Sequence, residues 1–224
     1  MSYLRRLIER PPLLFRIFFP EAVFRLGTKE KCVYLTFDDG PIPEVTPRVL
    51  DVLDKYGVKA TFFMVGDNVR RHPELLEQVL SRGHAIGNHT MHHLKGAGVT
   101  TSRYLADIKE ADGYIGSHLF RPPHGWLRWK QAAAIKNEFT LVMYDLVTRD
   151  YSRHITADEV FANVRRYARP GSIIVFHDSL KSLPRLFDSL PQSIEWLLNQ
   201  GYEFRRLSRP DELLKSKHSN NERT

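Results

Sequence analysis

Two adjacent acids, Asp38 and Asp39, close the apolar, β-branched run Cys32-Val33-Tyr34-Leu35-Thr36-Phe37. Further along, His89 and His93 stand four residues apart, with His92 between them. Neighbouring side chains on a strand point to opposite faces, so one acid is able to bind a metal while the other stays free as a base. Spacing four lets two imidazoles face one ion from a helix turn or a tight loop. His92 competes as a ligand, and spacing alone does not choose. One carboxylate and two imidazoles leave positions open for water and substrate, as a catalytic zinc or similar divalent ion requires. Hydrolysis at such an ion needs a base and an acid. Asp38 is placed for the first role. His177, after the apolar run Ser172-Ile173-Ile174-Val175-Phe176, suits the second, because histidine titrates near neutrality. A protonated histidine needs a carboxylate neighbour, and Asp150 is the candidate. Arg121 is read as holding a carboxylate in place, most simply Asp38.

These residues fall at the ends of predicted strands. Strands are expected over 32–37, 60–65, 84–88, 119–122, 139–145, 172–176 and 202–207. Between them lie helical patterns: 49–56, a stretch from His72-Pro73 to Leu80, one around 104–111, 129–136, 157–168 and one near 194–198. The alternation implies a parallel sheet. About seven such units fit an α/β fold, a single-domain distorted (β/α)7-type barrel, with an open doubly wound sheet as the alternative. Five polar clusters sit at or just past C-terminal strand ends: 36–40, 89–93, 121–125, Asp150-Tyr151 and His177-Asp178. In a β/α barrel that end carries the active site. Phe62, Phe63 and Trp129 are read as core.

The chain has 224 residues, 42% of them hydrophobic and 26% charged. That balance excludes disordered, collagenous and coiled-coil classes. A single cysteine excludes an intramolecular disulfide and a Cys-rich zinc cluster. No G-x-G-x-x-G or Walker loop is present. The net charge of +7 is spread along the chain without a nucleic-acid module, so a solvated surface is expected and no nucleic-acid partner. Residues 1–30 form a basic, apolar segment. Pro11-Pro12 and Arg16 interrupt it, so it does not read as a cleavable leader. Leu13, Leu14, Phe15, Ile17, Phe18 and Phe19, with Arg5, Arg6 and Arg16, either plug one end of the core or make a peripheral membrane contact through residues 1–25. The core plug is preferred. Residues 208–224 read as a polar tail. One cysteine and no leader favour the cytoplasm or the inner membrane surface.

Together the motifs resemble the polysaccharide deacetylases of the NodB-homology type, carbohydrate esterase family 4, over about 31–207. Thr36-Phe37-Asp38-Asp39-Gly40 is similar to the family's T-F-D-D-G. The resemblance makes Asp38 the general base and Asp39 a metal ligand. His89-Thr90-Met91-His92-His93 matches H-[ST]-x-x-H, which implies His89 and His93 as ligands, leaves His92 outside and makes Thr90 a brace. Arg121-Pro122-Pro123-His124-Gly125 is similar to R-x-P-[aromatic]-G. There the arginine steadies the base, and the backbone N–H of His124 would help bind an oxyanion. Residues 174–178 are similar to the motif of the acid histidine. Two motifs depart. His124 replaces an aromatic, and 147–151 replace D-x-x-D-W, keeping Asp150 but with Val147 and Tyr151.

The implied reaction is hydrolysis of an N-acetyl, or O-acetyl, group on a carbohydrate such as a chitin-like or peptidoglycan-type glycan, with acetate released. The implied cofactor is one divalent ion: zinc, with cobalt, nickel and manganese as alternatives. Trp126 and Tyr151 are candidates for a sugar-stacking wall. The rival readings are a metal-dependent amidase acting on a non-sugar amide and an idle carbohydrate- or membrane-binding protein.

Overall fold

The computed structural model describes residues 9–11 and 13–207, without the side chains of residues 13 and 14. The predicted tail 208–224, Arg5, Arg6 and the side chains of Leu13 and Leu14 lie outside the described residues. No helix among the described residues is long and apolar enough to cross a membrane.

The strands are β1 (Cys32–Asp38), β2 (Thr61–Met64), β3 (Ala85–Asn88), β4 (Leu119–Phe120), β5 (Thr140–Leu141), β6 (Leu146–Val147), β7 (Ile173–His177) and β8 (Glu203–Phe204). The helices are α1 (Leu13–Phe18), α2 (Thr46–Lys55), α3 (Gly66–Arg71), α4 (Pro73–Ser81), α5 (Thr101–Ile115), α6 (Trp129–Ile135), α7 (Ala157–Tyr167) and α8 (Leu183–Asn199). The sheet order is β5-β4-β3-β2-β1-β7-β6, with β8 beside the start of β1. Every strand pair is parallel. The central strand β1 is apolar on both faces, as a sheet covered on both sides requires. Its Phe37 stacks on Phe62 at 5.0 Å.

The sheet curls into a distorted barrel because its two edges belong to one stretch of chain. Of the predicted strand 139–145 only β5 is strand; the chain then kinks, and β6 follows just past the predicted range. β5 pairs with β4, and β6 pairs with β7. A continuous apolar run does not encode such a kink. It follows from what the run pairs with: Val23 donates to the Leu141 carbonyl and accepts from Met143 N–H, both at 2.8 Å. Leu26 N–H then reaches Gly171 O at 2.9 Å. Residues 23–26 thus fill the seam between β5 and β7. Val23 and Leu26 are buried with Phe63, Val142 and Ile173.

Gly171 adopts φ +79°, and a Cβ there would lie 1.9 Å from Leu26 O. A left-handed backbone costs a non-glycine residue about 1–2 kcal/mol, and overpacking adds about 1–3 kcal/mol. Gly171→Ala is therefore expected to lower Tm by roughly 4–20 °C for a chain of this size. An unchanged melting curve would show that this contact does not hold the seam.

Two helices differ from expectation. α3 was not foreseen from the sequence; it is short and carries only Gly66 and Val69 as buried residues. α8 begins near residue 183 rather than 194, and it contains Pro191. Leu186, Leu190, Ile194 and Leu197 form its buried row. Burying four such side chains outweighs the roughly 3 kcal/mol of an interior proline. The last predicted strand, 202–207, is ordered as a strand only at β8, against one end of β1.

Candidate active site

Parallel strands deliver their C-terminal residues to one end of the sheet. Asp38 ends β1, His89 follows β3, Arg121 follows β4, Asp150 follows β6, and His177 ends β7. Asp39 leaves the strand with φ +81°, while Thr90 and His93 also have positive φ. These departures turn side chains inward that a continuing strand would alternate. His93 Nε2 lies 3.0 Å and His89 Nε2 3.6 Å from Asp39 Oδ1. One ligand atom from each of the three falls within 4.8 Å of the others.

The chemistry of this donor set fits a divalent ion. His89 Nδ1–H donates to the Arg121 carbonyl at 2.7 Å, which leaves the Nε2 lone pair facing Asp39. Burial pulls His89 down to about 4, so the imidazole is neutral. Burial alone would raise the Asp39 carboxyl. The hydrogen bond from His93 and the charge of His177 instead hold it well below the usual carboxylate range. The competing His92 turns out of the site: its Nδ1 lies 2.7 Å from Asp107 Oδ1. Thr90 Oγ1 accepts from Leu94 N–H at 2.9 Å and braces the loop between the two ligating histidines.

Arg121 is buried and forks across the floor of the site. Nη1 donates to Asp38 Oδ1 at 2.6 Å and to Thr36 Oγ1 at 2.8 Å. Nη2 donates to Met143 O at 3.0 Å. The guanidinium carbon lies 4.0 Å from the Phe63 ring centroid. Asp38 is thus fixed beside the three-donor cluster, in one orientation.

On β7, where His177 is the register partner of Asp38, both Asp150 oxygens engage His177, one with the backbone N–H at 2.7 Å and one with Nδ1 at 2.8 Å. Burial opposes a charge on His177. The Asp150 carboxylate, with Asp39 and Asp38 nearby, outweighs it and pushes the imidazole up to about 9. The acid form therefore persists through neutrality and is lost as pH rises past that value. Asp150→Asn removes the strongest of these raising charges. The alkaline limb of the pH–rate profile is expected to move down by roughly 1–3 pH units. An unmoved limb would assign it to another group.

Asp178, beyond His177, was read only as part of a polar cluster. Its carboxyl accepts from Gly40 N–H at 3.1 Å and from Thr46 Oγ1 at 2.6 Å. It clamps the turn that carries Asp39, and burial pushes it up to about 8.

Asp38, Asp39, His89, His93, Arg121 and His177 line a cleft of about 500 Å³. His124 lines it with φ +62°, its ring edge-on to His93 at 4.7 Å. Trp126 and Tyr151 line it too, and Tyr151 packs against His177 at 4.8 Å. Val147, in place of the family's acid, gives an apolar patch of wall. Phe62 and Phe63 are fully buried, but Trp129 is 67% exposed and not core. α6 turns Gln131 and Ile135 inward, which leaves Trp129 outside. The sequence reading missed Pro11, Phe15, Tyr144 and Lys181 as lining residues. Phe15 comes from α1 and meets Trp126 edge-on at 5.0 Å. α1 is thereby divided: Phe15 and Phe19 pack inward, whereas Ile17 and Phe18 face solvent.

A parallel barrel with an acid, a base and a candidate metal cluster at its strand ends defines a hydrolase. The polysaccharide deacetylase family matches residues 25–141, just over half of the sequence. A peptidoglycan-N-acetylglucosamine deacetylase of Bacillus cereus is 36% identical over 203 residues, covering 87% of this chain and 93% of that one. A chitooligosaccharide deacetylase of Rhizobium leguminosarum bv. trifolii is 34% identical over 160 residues, covering 68% of this chain and 74% of that one. Among solved structures, a peptidoglycan N-acetylglucosamine deacetylase in complex with 4-naphthalen-1-yl-N-oxidanyl-benzamide superposes with TM-score 0.81 at 30% identity, over 88% of this chain and 94% of that one. Bacillus subtilis PdaA, a family 4 carbohydrate esterase, gives TM-score 0.76 at 28% identity, over 92% and 91%. The chain belongs to the polysaccharide deacetylase family, carbohydrate esterase family 4.

Proposed function

We propose that the chain removes N-acetyl groups from an N-acetylhexosamine glycan of peptidoglycan or chitin type and releases acetate. The observation that carries this reading is the meeting of Asp39, His89 and His93 in one cleft with Asp38 and His177. Two imidazoles and one carboxylate suit zinc with positions left open, and cobalt, nickel or manganese share the donor preference. Such an ion supplies Lewis acidity toward an acyl oxygen and toward water.

The chain's own residues do the rest. Asp38, locked by Arg121, takes the proton of the attacking water. The backbone N–H of His124 donates to the oxygen on which charge develops. His177 gives its proton to the departing amine nitrogen as the C–N bond breaks, and Asp150 holds its ring in place. Trp126 and Tyr151 supply aromatic faces on which a sugar ring stacks.

The test combines metal content with acetate release from N-acetylated chitooligosaccharides, peptidoglycan fragments and an O-acetylated glycan. One divalent ion per chain, acetate release and appearance of free amine are expected with the N-acetyl substrates. Turnover of small cyclic amides alone would move the reading to a non-sugar amidase. Glycan binding without acetate release at full metal loading would leave an idle binding site.

A further inference from the structure

The cleft opens among exposed apolar side chains of which a soluble glycan would use only the aromatic ones. Nine large apolar residues are exposed among the described residues, and six sit on the four segments that line the cleft. They are Ile17 and Phe18, two and three residues past Phe15; Trp126 and Trp129; Tyr151; and Leu180, next to Lys181. Ile17 and Phe18 are 72% and 62% exposed. Each segment also carries cations: Arg16, Arg128 with Lys130, Arg153, and Lys181. None of the segments 13–19, 126–131, 151–154 and 179–182 contains an acid. Behind Arg16, Arg10 and Arg169 converge on the single buried carboxylate of Asp145, and three guanidiniums on one carboxylate leave a positive surplus.

Apolar side chains flanked by cations, with tryptophans among them, are the chemistry of a protein that settles into a headgroup layer. A sugar would use the aromatic faces but would leave Ile17 and Leu180 without a partner. A nucleic acid would use the cations and leave the aliphatics in water. A second copy of this chain, paired through the same face, would set cations against cations.

We infer that the rim of the cleft docks on an anionic lipid bilayer. Resting on the deacetylase reading above, the inference narrows the substrate to an acetylated amino sugar tethered to a lipid, presented at the membrane surface. Docking through the rim brings such a headgroup to Asp38 and His177 without moving the site away from the bilayer.

Co-sedimentation with vesicles tests the docking without any turnover. The wild-type chain is expected to bind phosphatidylcholine–phosphatidylglycerol vesicles. It should bind pure phosphatidylcholine far more weakly, since each basic residue near an anionic surface adds about fivefold. Ile17→Ser with Phe18→Ser should weaken binding by more than about tenfold, because two exposed apolar side chains lose their insertion. Leu80→Ser, at an exposed position away from the cleft, should bind as the wild type does. Equal binding by the double variant, no binding by the wild type, or concentration-dependent self-association that the double variant abolishes would each overturn the docking. A second arm compares turnover of a lipid-tethered acetamido sugar in vesicles with that of a soluble chitooligosaccharide. The double variant should lose only the first. Vesicle binding with no turnover of either substrate would overturn the deacetylase reading and leave the docking intact.

Discussion

Asp38→Asn is expected to lower turnover of an N-acetylated glycan by roughly 10²–10⁴-fold, the range that one positioned general base supplies. Metal content should not change, because the donor cluster is made by Asp39, His89 and His93. The substitution keeps the shape of the side chain, and an asparagine Oδ1 still accepts from Arg121 Nη1. It removes the charge and the basicity. A stability effect is also expected, since buried Arg121 loses its carboxylate partner, and uncovering a buried charge costs up to about 3–5 kcal/mol. The retained hydrogen bond places the loss at the low end. Activity measured well below the variant's Tm separates the two effects: a folded, metal-loaded, inactive protein identifies the base. Near-normal turnover would move the proton-accepting role elsewhere, and loss of the ion would make Asp38 part of the metal site.

The ends of β1, β3, β4 and β7 were legible because short apolar runs stop abruptly at polar clusters, and parallel topology sends those clusters to one side. The choice between His92 and His93 was not legible from spacing. It depends on Asp107, fifteen residues on in α5, which captures the His92 ring. The family resemblance points to His93, and the contact that places His93 rather than His92 beside Asp39 is one the local sequence does not carry. The kink between β5 and β6 was hidden for a similar reason. Thr140, Leu141, Val142 and Met143 read as uninterrupted strand, whereas the distant Val23 takes the hydrogen bonds of the Leu141 carbonyl and the Met143 N–H at the seam.

Contiguous apolar letters also hide which face they occupy. Phe15, Ile17, Phe18 and Phe19 look equivalent in the sequence, yet one helix turn sends Phe15 and Phe19 to the core and the other two to solvent. Trp129 was misjudged likewise: a position on a predicted helix does not reveal the buried side. The helix expected near 194–198 begins at Leu183 in the fold, where its buried row outweighs Pro191. Each of these misses is a tertiary contact overriding a local pattern.

Arg121→Met is expected to be the most damaging single change in the site, and to be partly repaired by a second change that removes an acid. Methionine keeps apolar volume against Phe63 while deleting the charge, so the loss reports electrostatics more than packing. Asp38, 5% exposed, is then left as a buried carboxylate without its cation. Breaking one half of a buried ion pair costs about 3–5 kcal/mol, or a Tm lowered by roughly 6–20 °C at this chain length. Turnover should fall about as far as in Asp38→Asn, because the base loses the fork that orients it. Arg121→Lys should fall between, since one ammonium restores charge but does not reach Asp38, Thr36 and the Met143 carbonyl together. The double variant Arg121→Met with Asp38→Asn decides the matter. With the unpaired carboxylate gone, it should melt higher than Arg121→Met alone, yet turn over no more slowly than Asp38→Asn. A double variant that melts lower than both singles, with activity losses that multiply, would mean that Arg121 and Asp38 serve separate ends.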